Sequence, residues 1–185
     1  MSLPGTSRVE PGGWREVGPA IGLFSRIAGR VQGTEPPRVF LTLGRHRRLF
    51  WGWLHFAGRL MPGGRLARRE AELVILRVAA RLRSEYELVQ HRRLGARAGL
   101  TAAEVAAAED ADTEPPGSLS ARELAALRAA DEIVAGQDLS DLLWAELGRL
   151  MDEQERIELV MLIGHYAMLA TVLRTLRVAP DSPTG

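Results

Sequence analysis

Three residues near the middle of the chain have side chains suited to proton transfer: Glu72, Glu87 and His91. Glu87 and His91 are four positions apart, so on one helix they share a face and their side chains can meet. A preceding helix that returns through a short turn would bring Glu72 alongside that face. A carboxylate orients an imidazole and stabilises its protonated form, and the ring exchanges protons near neutral pH. Glu87 and His91 are therefore candidate catalytic groups, with His91 moving the proton, and Glu72 is placed to join them.

Four neighbouring residues are candidates for binding a substrate. Tyr86 and Ser84 carry hydroxyl groups that can hydrogen-bond to a bound anion. Arg77 and Arg81 carry guanidinium groups, which bind carboxylates well. Arg92 is a further arginine of the same kind. The sequence thus places potential anion-binding groups close to the candidate catalytic residues.

The same residues also have structural interpretations. Ser84 and Glu87 match the Ser/Thr-x-x-Glu capping box, in which the hydroxyl and the carboxylate satisfy backbone donors at a helix start. Glu72 would then pair with Arg68 or Arg69 near the start of its own helix. His91 and Tyr86 would pack at a half-buried helix face, and His165-Tyr166, in an apolar run, would form a hydrogen-bonded core pair.

Composition excludes several classes of chemistry. The chain has no cysteine, so disulfides, thiolate nucleophiles and thiolate metal sites are absent. All 24 basic residues are arginine, which excludes Schiff-base catalysis by lysine. The net charge of +1 argues against a dedicated nucleic-acid binder. His46 and His55 lack the companion ligands of a metal site. We therefore expect neither a metal nor an organic cofactor.

The elements that position these residues are predicted to be helices, seven or eight in number, with no convincing strand. Apolar residues recur at helical spacing, and capping signatures begin at Ser84, Thr101 and Ser120. We expect an all-α domain over residues 16–178, with a flexible arm at 1–15 and a flexible tail at 179–185. The predicted helices cover about residues 38–60, 67–83, 84–98, 101–109, 121–135, 140–150 and 153–178.

No apolar run reaches the length of a membrane span, and residues 1–13 lack the apolar core of a signal peptide. A cytoplasmic protein without a membrane partner is expected. One internal similarity relates residues 69–76 to residues 155–162 and favours a duplicated helical unit. Trp51 and Trp53, with neighbouring phenylalanines, are interpreted as packing or subunit-interface residues.

The spacing from Glu72 through His91 resembles that of alkyl hydroperoxidase D proteins, which have a glutamate followed by Cys-x-x-Cys-x-x-x-His. Ser84 and Glu87 stand in the two cysteine positions, so the thiol peroxidase reaction of that family cannot proceed by its usual route. The sequence is more similar to carboxymuconolactone decarboxylases, through Glu87-x-x-x-His91 and the helix end and cap at residues 97–105. With an apolar last helix, the resemblance covers about residues 40–178.

The resemblance implies an alkyl hydroperoxidase D-like helical bundle and a homo-oligomer. It also implies cofactor-free acid–base chemistry on a small organic acid, lactone or related carbonyl compound. The alternative is a non-catalytic family member that acts as a small-molecule-binding or assembly module. Residues 83–108 superficially resemble a helix-turn-helix, but the second helix is rich in alanine and acidic residues and would repel phosphate. No nucleic-acid partner is therefore expected.

Overall fold

The computed structural model describes residues 7–182, which form ten α-helices and no β-strand. The predicted all-α class is confirmed, and the helix count exceeds the seven or eight expected. The predicted flexible segments 1–15 and 179–185 lie partly outside the described residues. The helices are α1 (Trp14–Val17), α2 (Pro19–Gln32), α3 (Arg38–Leu43), α4 (Arg47–Leu60), α5 (Arg68–Arg81), α6 (Glu85–Arg97), α7 (Ala102–Glu109), α8 (Ala121–Gly136), α9 (Asp141–Leu150) and α10 (Glu153–Leu176).

The differences from the predicted helices lie before residue 60. No helix is predicted before residue 38, yet α1 and α2 form there; Pro19 occupies the first position of α2, where its missing N–H costs nothing. The single helix predicted over residues 38–60 is broken between α3 and α4. Gly44 permits the break, because a Cβ at this position would lie 2.5 Å from the carbonyl oxygen of Phe40. Apolar residues recur at helical spacing through the break, so the sequence pattern does not reveal that the helix is interrupted.

The chain forms two compact units, of which the first contains the described residues up to 57 and from 172 onward. Its core is aromatic: Phe50 is fully buried and its ring lies 5.9 Å from that of Phe40 and 6.0 Å from that of Trp53. Trp53 therefore packs inside this unit, while Trp51 is 43% exposed. Other core residues of the unit are Val17 and Ile21.

The second unit, residues 58–171, is built around α5. Every residue from Glu70 to Ala79 is buried, so α5 presents no face to solvent along most of its length. Such a helix must be surrounded by apolar neighbours. One cluster of these comprises Leu73, Leu76, Leu100, Ala108, Leu119 and Leu127.

Ion pairs connect α5 to α7 and α8. Arg69 binds Glu104 at 2.5 Å and Glu123 at 2.9 Å, and Arg122 binds Glu70 at 3.0 Å. The two glutamates bound by Arg69 also complete the capping boxes that begin α7 and α8. These contacts anchor the helix that carries Glu72.

The long helix α10 contributes Leu159, Leu162, Ile163 and Tyr166 to the core of the second unit. It is long and apolar enough to cross a membrane by length and composition, a property that core helices of soluble proteins share. The similarity between residues 69–76 and residues 155–162 predicts a duplicated helical unit, and this duplication stays a prediction.

Candidate active site

A tight turn between α5 and α6 places the candidate residues on facing helices. α5 ends at Arg81, and Arg83 reverses the chain with φ of 53°. The N–H of Ser84 then donates to the carbonyl oxygen of Ala79 at 2.8 Å, which closes the turn. α6 begins at Glu85 and runs back along α5.

Glu72 on α5 and His91 on α6 meet in the interior. Oε2 of Glu72 lies 2.7 Å from Nδ1 of His91, and the Glu72 side chain is fully buried. The other carboxylate oxygen, Oε1, accepts hydrogen bonds from Arg68, with the closest nitrogen at 2.6 Å. A carboxylate in an ion pair with arginine accepts hydrogen bonds only, so Nδ1 of His91 carries the shared proton. The second ring nitrogen, Nε2, is thereby left for proton exchange.

Glu87 lies one helical turn before His91 and is 2% exposed. Within the described residues, neither of its carboxyl oxygens has a hydrogen-bond partner. Burial raises the pKa of Glu87 to about 7. The nearby Ser84 hydroxyl, which lies outside standard hydrogen-bond geometry, and the charge of His91 oppose the rise. A buried carboxyl with this pKa can both give and take a proton near neutral pH.

The capping box predicted at Ser84 and Glu87 is absent, which corrects the structural interpretation of this pair. Ser84 has ψ of 89°, whereas Thr101 and Ser120, the caps that do form boxes, have ψ of 162° and 159°. The hydroxyl of Ser84 therefore makes no side-chain cap at α6. It is buried and without a hydrogen-bond partner in the part of the chain that the structure describes.

Tyr166 on α10 completes the cluster; the sequence predicts it as a core residue and not as part of the site. Its ring packs edge-on against His91, with centroids 5.1 Å apart and an interplanar angle of 87°. Burial, together with the negative charges of Glu72 and Glu87, raises the pKa of its phenol. A tyrosine in an apolar helix needs a polar neighbour for its hydroxyl, and that is the signal the sequence offers.

His165 packs edge-on against Tyr166, with ring centroids 5.2 Å apart, while the hydrogen bond predicted between the two residues stays a prediction. Burial lowers the pKa of His165 to about 4, which keeps its ring neutral at physiological pH. The cluster therefore has two histidines in different states: His91 bound to a carboxylate, and His165 enclosed and uncharged.

Arg77 and Arg81 lie away from this cluster. A helix turns by about 100° per residue, so these residues point to the far side of α5 from Glu72. Arg77 is buried and binds Asp131 at 3.2 Å and the carbonyl oxygen of Ala107 at 2.8 Å. Arg81 binds the same aspartate at 2.8 Å. The structure thus does not bring these two predicted substrate-binding residues to the candidate catalytic groups.

Tyr86 and Arg92, the remaining residues considered for substrate binding, both lie on α6. Tyr86 is buried on α6, immediately before Glu87. Arg92 points toward α7, where it makes a two-pronged ion pair with Glu109 at 2.6 Å. Over residues 7–182 there is no group of three or more acidic, histidine or cysteine residues placed to hold a metal ion.

Comparison with known proteins supports the fold and the family of this region. Residues 47–132 match the model of the carboxymuconolactone decarboxylase family. This stretch includes Glu72, Glu87 and His91 but ends before Tyr166. No curated protein sequence matches the chain significantly.

Solved structures resemble nearly the whole chain at low sequence identity, and so speak for the fold. An uncharacterized peroxidase-related protein with an alkylhydroperoxidase AhpD core, from Ralstonia eutropha JMP134, is 16% identical with a TM-score of 0.83, covering 97% of this chain and 94% of that one. An uncharacterized peroxidase-related protein from Silicibacter sp. TM1040 is 15% identical with a TM-score of 0.79, and the match covers 97% of this chain and 91% of that one. The debrominase Bmp8, in complex with 2,3,4-tribromopyrrole, is 17% identical with a TM-score of 0.78, covering 97% and 92%.

Proposed function

We propose that this chain is a member of the carboxymuconolactone decarboxylase family, whose model matches residues 47–132, and that it is a cofactor-free enzyme that works by general acid–base catalysis. The observation that carries the proposal is the buried Glu87 carboxyl, without a hydrogen-bond partner among residues 7–182 and one turn from an imidazole that Glu72 holds. A protein interior rarely contains an unsatisfied carboxyl group, since its burial is costly. Such groups concentrate at functional sites.

His91 is the group that takes a proton from the substrate and returns it. Glu72 fixes the tautomer by accepting from Nδ1, so Nε2 is the reacting atom. When Nε2 gains a proton, the negative charge of Glu72 at 2.7 Å stabilises the imidazolium. Arg68 holds Glu72 in place through Oε1 and prevents it from turning away.

Glu87 is the second proton-transfer group. Near neutral pH it is divided between its protonated and ionised forms, because burial raises its pKa to about 7. It can therefore donate to one atom of a substrate while His91 accepts from another. A carboxyl group and an imidazole on one helix face can supply the proton donor and the proton acceptor that a proton shift or a decarboxylation with carbon protonation requires.

Tyr166 acts as a positioning residue. Its ring lies edge-on to His91 and limits rotation of the imidazole. Ser84, buried beside Glu87 on the same helix start, supplies a hydroxyl that is available to a bound molecule. Tyr86, also predicted as a binding residue, is buried at the same end of α6.

The proposed substrate is a small organic acid, lactone or related carbonyl compound. Acid–base groups act on carbon atoms whose protons are acidified by a neighbouring carbonyl, and these compounds provide such atoms. The chain has no cysteine, so thiolate-dependent peroxide reduction is not the reaction. Structures of this fold include a debrominase and uncharacterized peroxidase-related proteins, so the fold alone does not specify the reaction.

The test is proton exchange at carbon. A panel of small lactones and oxo acids in D2O is incubated with the protein, and loss of C–H signal and release of carbon dioxide are followed by NMR. His91→Gln and Glu87→Gln should each lower the rate by about 100-fold or more, the contribution typical of a general acid or base. His55→Gln, at an exposed histidine of α4, is the matched control and should leave the rate unchanged.

Two results contradict the proposal. One is full activity in a folded His91→Gln protein. The other is binding of panel compounds, seen as thermal stabilisation, with no exchange and no product from the wild type. The latter would favour the non-catalytic binding module.

A further inference from the structure

Charge is divided unequally between the two units. The residues up to 57 and from 172 onward contain ten arginines and four acidic residues, a net charge of +6. Residues 58–171 contain fourteen arginines and nineteen acidic residues, a net charge of −5. The near-zero charge of the whole chain therefore conceals one basic unit and one acidic unit. None of α2, α3 and α4 contains an aspartate or a glutamate.

The basic unit also exposes an apolar helix face. Leu23, Ile27 and Val31 on α2 are 56%, 52% and 73% exposed. They follow one another at four-residue spacing, so they form a line about 12 Å long on one side of the helix. Arg26 and Arg30, both exposed, border this line on one edge. We call these five residues the α2 face.

Tryptophans stand on both sides of the α2 face. The guanidinium of Arg26 lies over the ring of Trp14 at 4.6 Å, and Trp14 is 44% exposed. On the other side Phe24 contacts Trp51 of α4, with ring centroids 6.3 Å apart. Partly exposed tryptophans beside an apolar line are typical of residues that lie at a membrane–water interface.

We propose that the α2 face binds the surface of an anionic lipid bilayer. An apolar line bordered by arginine and aromatic rings, with no acidic residue on the helix, is the composition of a helix that lies in the interfacial plane. The apolar side chains enter the boundary between headgroups and acyl chains, and the arginines bind lipid phosphates. The α2 helix is 14 residues long and lies parallel to the surface in this arrangement.

The observations favour lipid over two other partners. A nucleic acid would bind the arginines but would leave Leu23, Ile27 and Val31 in water. A second copy that packs its α2 helix antiparallel against this face would place Arg26 and Arg30 beside the same residues, with no carboxylate on either α2 helix to neutralise them. The expected absence of a membrane partner depended on spanning segments, and surface binding needs none.

The test is co-sedimentation of the full chain with vesicles of phosphatidylcholine, with and without 30% phosphatidylglycerol. Wild type should bind the anionic vesicles and not the neutral ones. Arg26→Gln with Arg30→Gln should weaken binding by about fivefold for each arginine removed. Leu23→Ser with Ile27→Ser should weaken it by a similar total factor. Leu142→Ser with Arg149→Gln, at exposed positions of α9 in the acidic unit, is the matched control and should bind like wild type.

Several outcomes overturn the proposal: no sedimentation with anionic vesicles, or binding that neither α2 pair weakens. Light scattering decides the second-copy alternative; if wild type is an oligomer that Leu23→Ser with Ile27→Ser dissociates, another copy covers the α2 face. Tight binding to duplex DNA that the serine pair leaves unchanged would assign the arginines to nucleic acid instead.

Discussion

Glu72 and His91, nineteen residues apart in the chain, are joined at 2.7 Å inside the second unit. Glu72 is fully buried and Arg68 occupies its other oxygen, so the carboxylate has one orientation and the imidazole one tautomer. This relationship turns a histidine on an amphipathic helix into a group with a single free nitrogen. It is the basis of the acid–base function proposed above.

Replacing His91 by leucine should lower the free energy of unfolding by about 1–3 kcal/mol, because Oε2 of Glu72 would remain buried without its partner. Leucine has a similar volume, so little of this effect comes from packing. His55→Leu, at an exposed position of α4, should change stability by no more than about 0.5 kcal/mol. Urea unfolding at pH 7 measures the free energy of unfolding of both variants. Equal effects of the two substitutions would show that the Glu72–His91 contact does not form.

Glu87 should contribute stability that is lost as pH rises. Its pKa is raised to about 7 in the folded protein, from 4.5. Between these values the folded state keeps a proton that the unfolded chain releases, so the free energy of unfolding falls with rising pH, by about 3 kcal/mol in total. Glu87→Gln should remove this contribution, so that its stability at low pH falls relative to that of the wild type. Comparing unfolding at pH 4.5 and pH 8 tests it, with Glu85→Gln, exposed on the same helix, as the control.

His165 should act in the opposite direction. Its pKa is lowered to about 4 in the folded protein, from 6.5. Between these values the unfolded chain binds a proton that the folded state excludes, so stability falls as pH is lowered, by about 3 kcal/mol. In wild type this largely offsets the contribution of Glu87. His165→Gln should therefore be relatively more stable in acid than wild type, and Glu87→Gln relatively less stable. A wild-type pH dependence that persists unchanged in both variants would contradict these assignments.

The ion pairs of the second unit should contribute different amounts to the free energy of unfolding, according to their burial. Glu104 is 1% exposed and is bound by Arg69, which holds the pKa of Glu104 well below its usual range. Glu104→Gln should cost about 3 kcal/mol, because it removes the charge from one partner of a buried ion pair. Glu146→Gln breaks the exposed pair with Arg128 and should cost less than about 1 kcal/mol. Thermal unfolding of the two variants separates these expectations, and similar losses would refute the distinction.

The spacing of residues along the chain was sufficient to predict the α5–α6 hairpin and the candidate residues that it brings together. Glu87 and His91 share a face because they are four apart, and a short turn returns the chain beside Glu72. The same spacing argues against Arg77 and Arg81 at the site, since they lie five and nine positions from Glu72 and therefore on the far side of α5. Helical periodicity alone therefore places Arg77 and Arg81 away from the candidate site.

Other features depend on tertiary contacts that spacing does not reveal. Tyr166 reaches His91 from a helix 75 positions further along the chain. The absent capping box at Ser84 depends on a backbone angle, ψ of 89°, set by the tight turn after Arg83. The basic character of one unit is invisible in a net charge of +1, because the two units nearly cancel.

The most direct measurement is a titration of the Glu87 carboxyl by NMR, in protein carrying 13C-labelled glutamate side chains. The resonance is identified by its loss in Glu87→Gln, and Glu85 on the same helix provides an exposed reference. The expected midpoint for Glu87 is about 7, close to the working pH of a proton-transfer group. A midpoint near the ordinary value of 4.5 would show a solvated or hydrogen-bonded carboxylate and would contradict the proposed acid–base site.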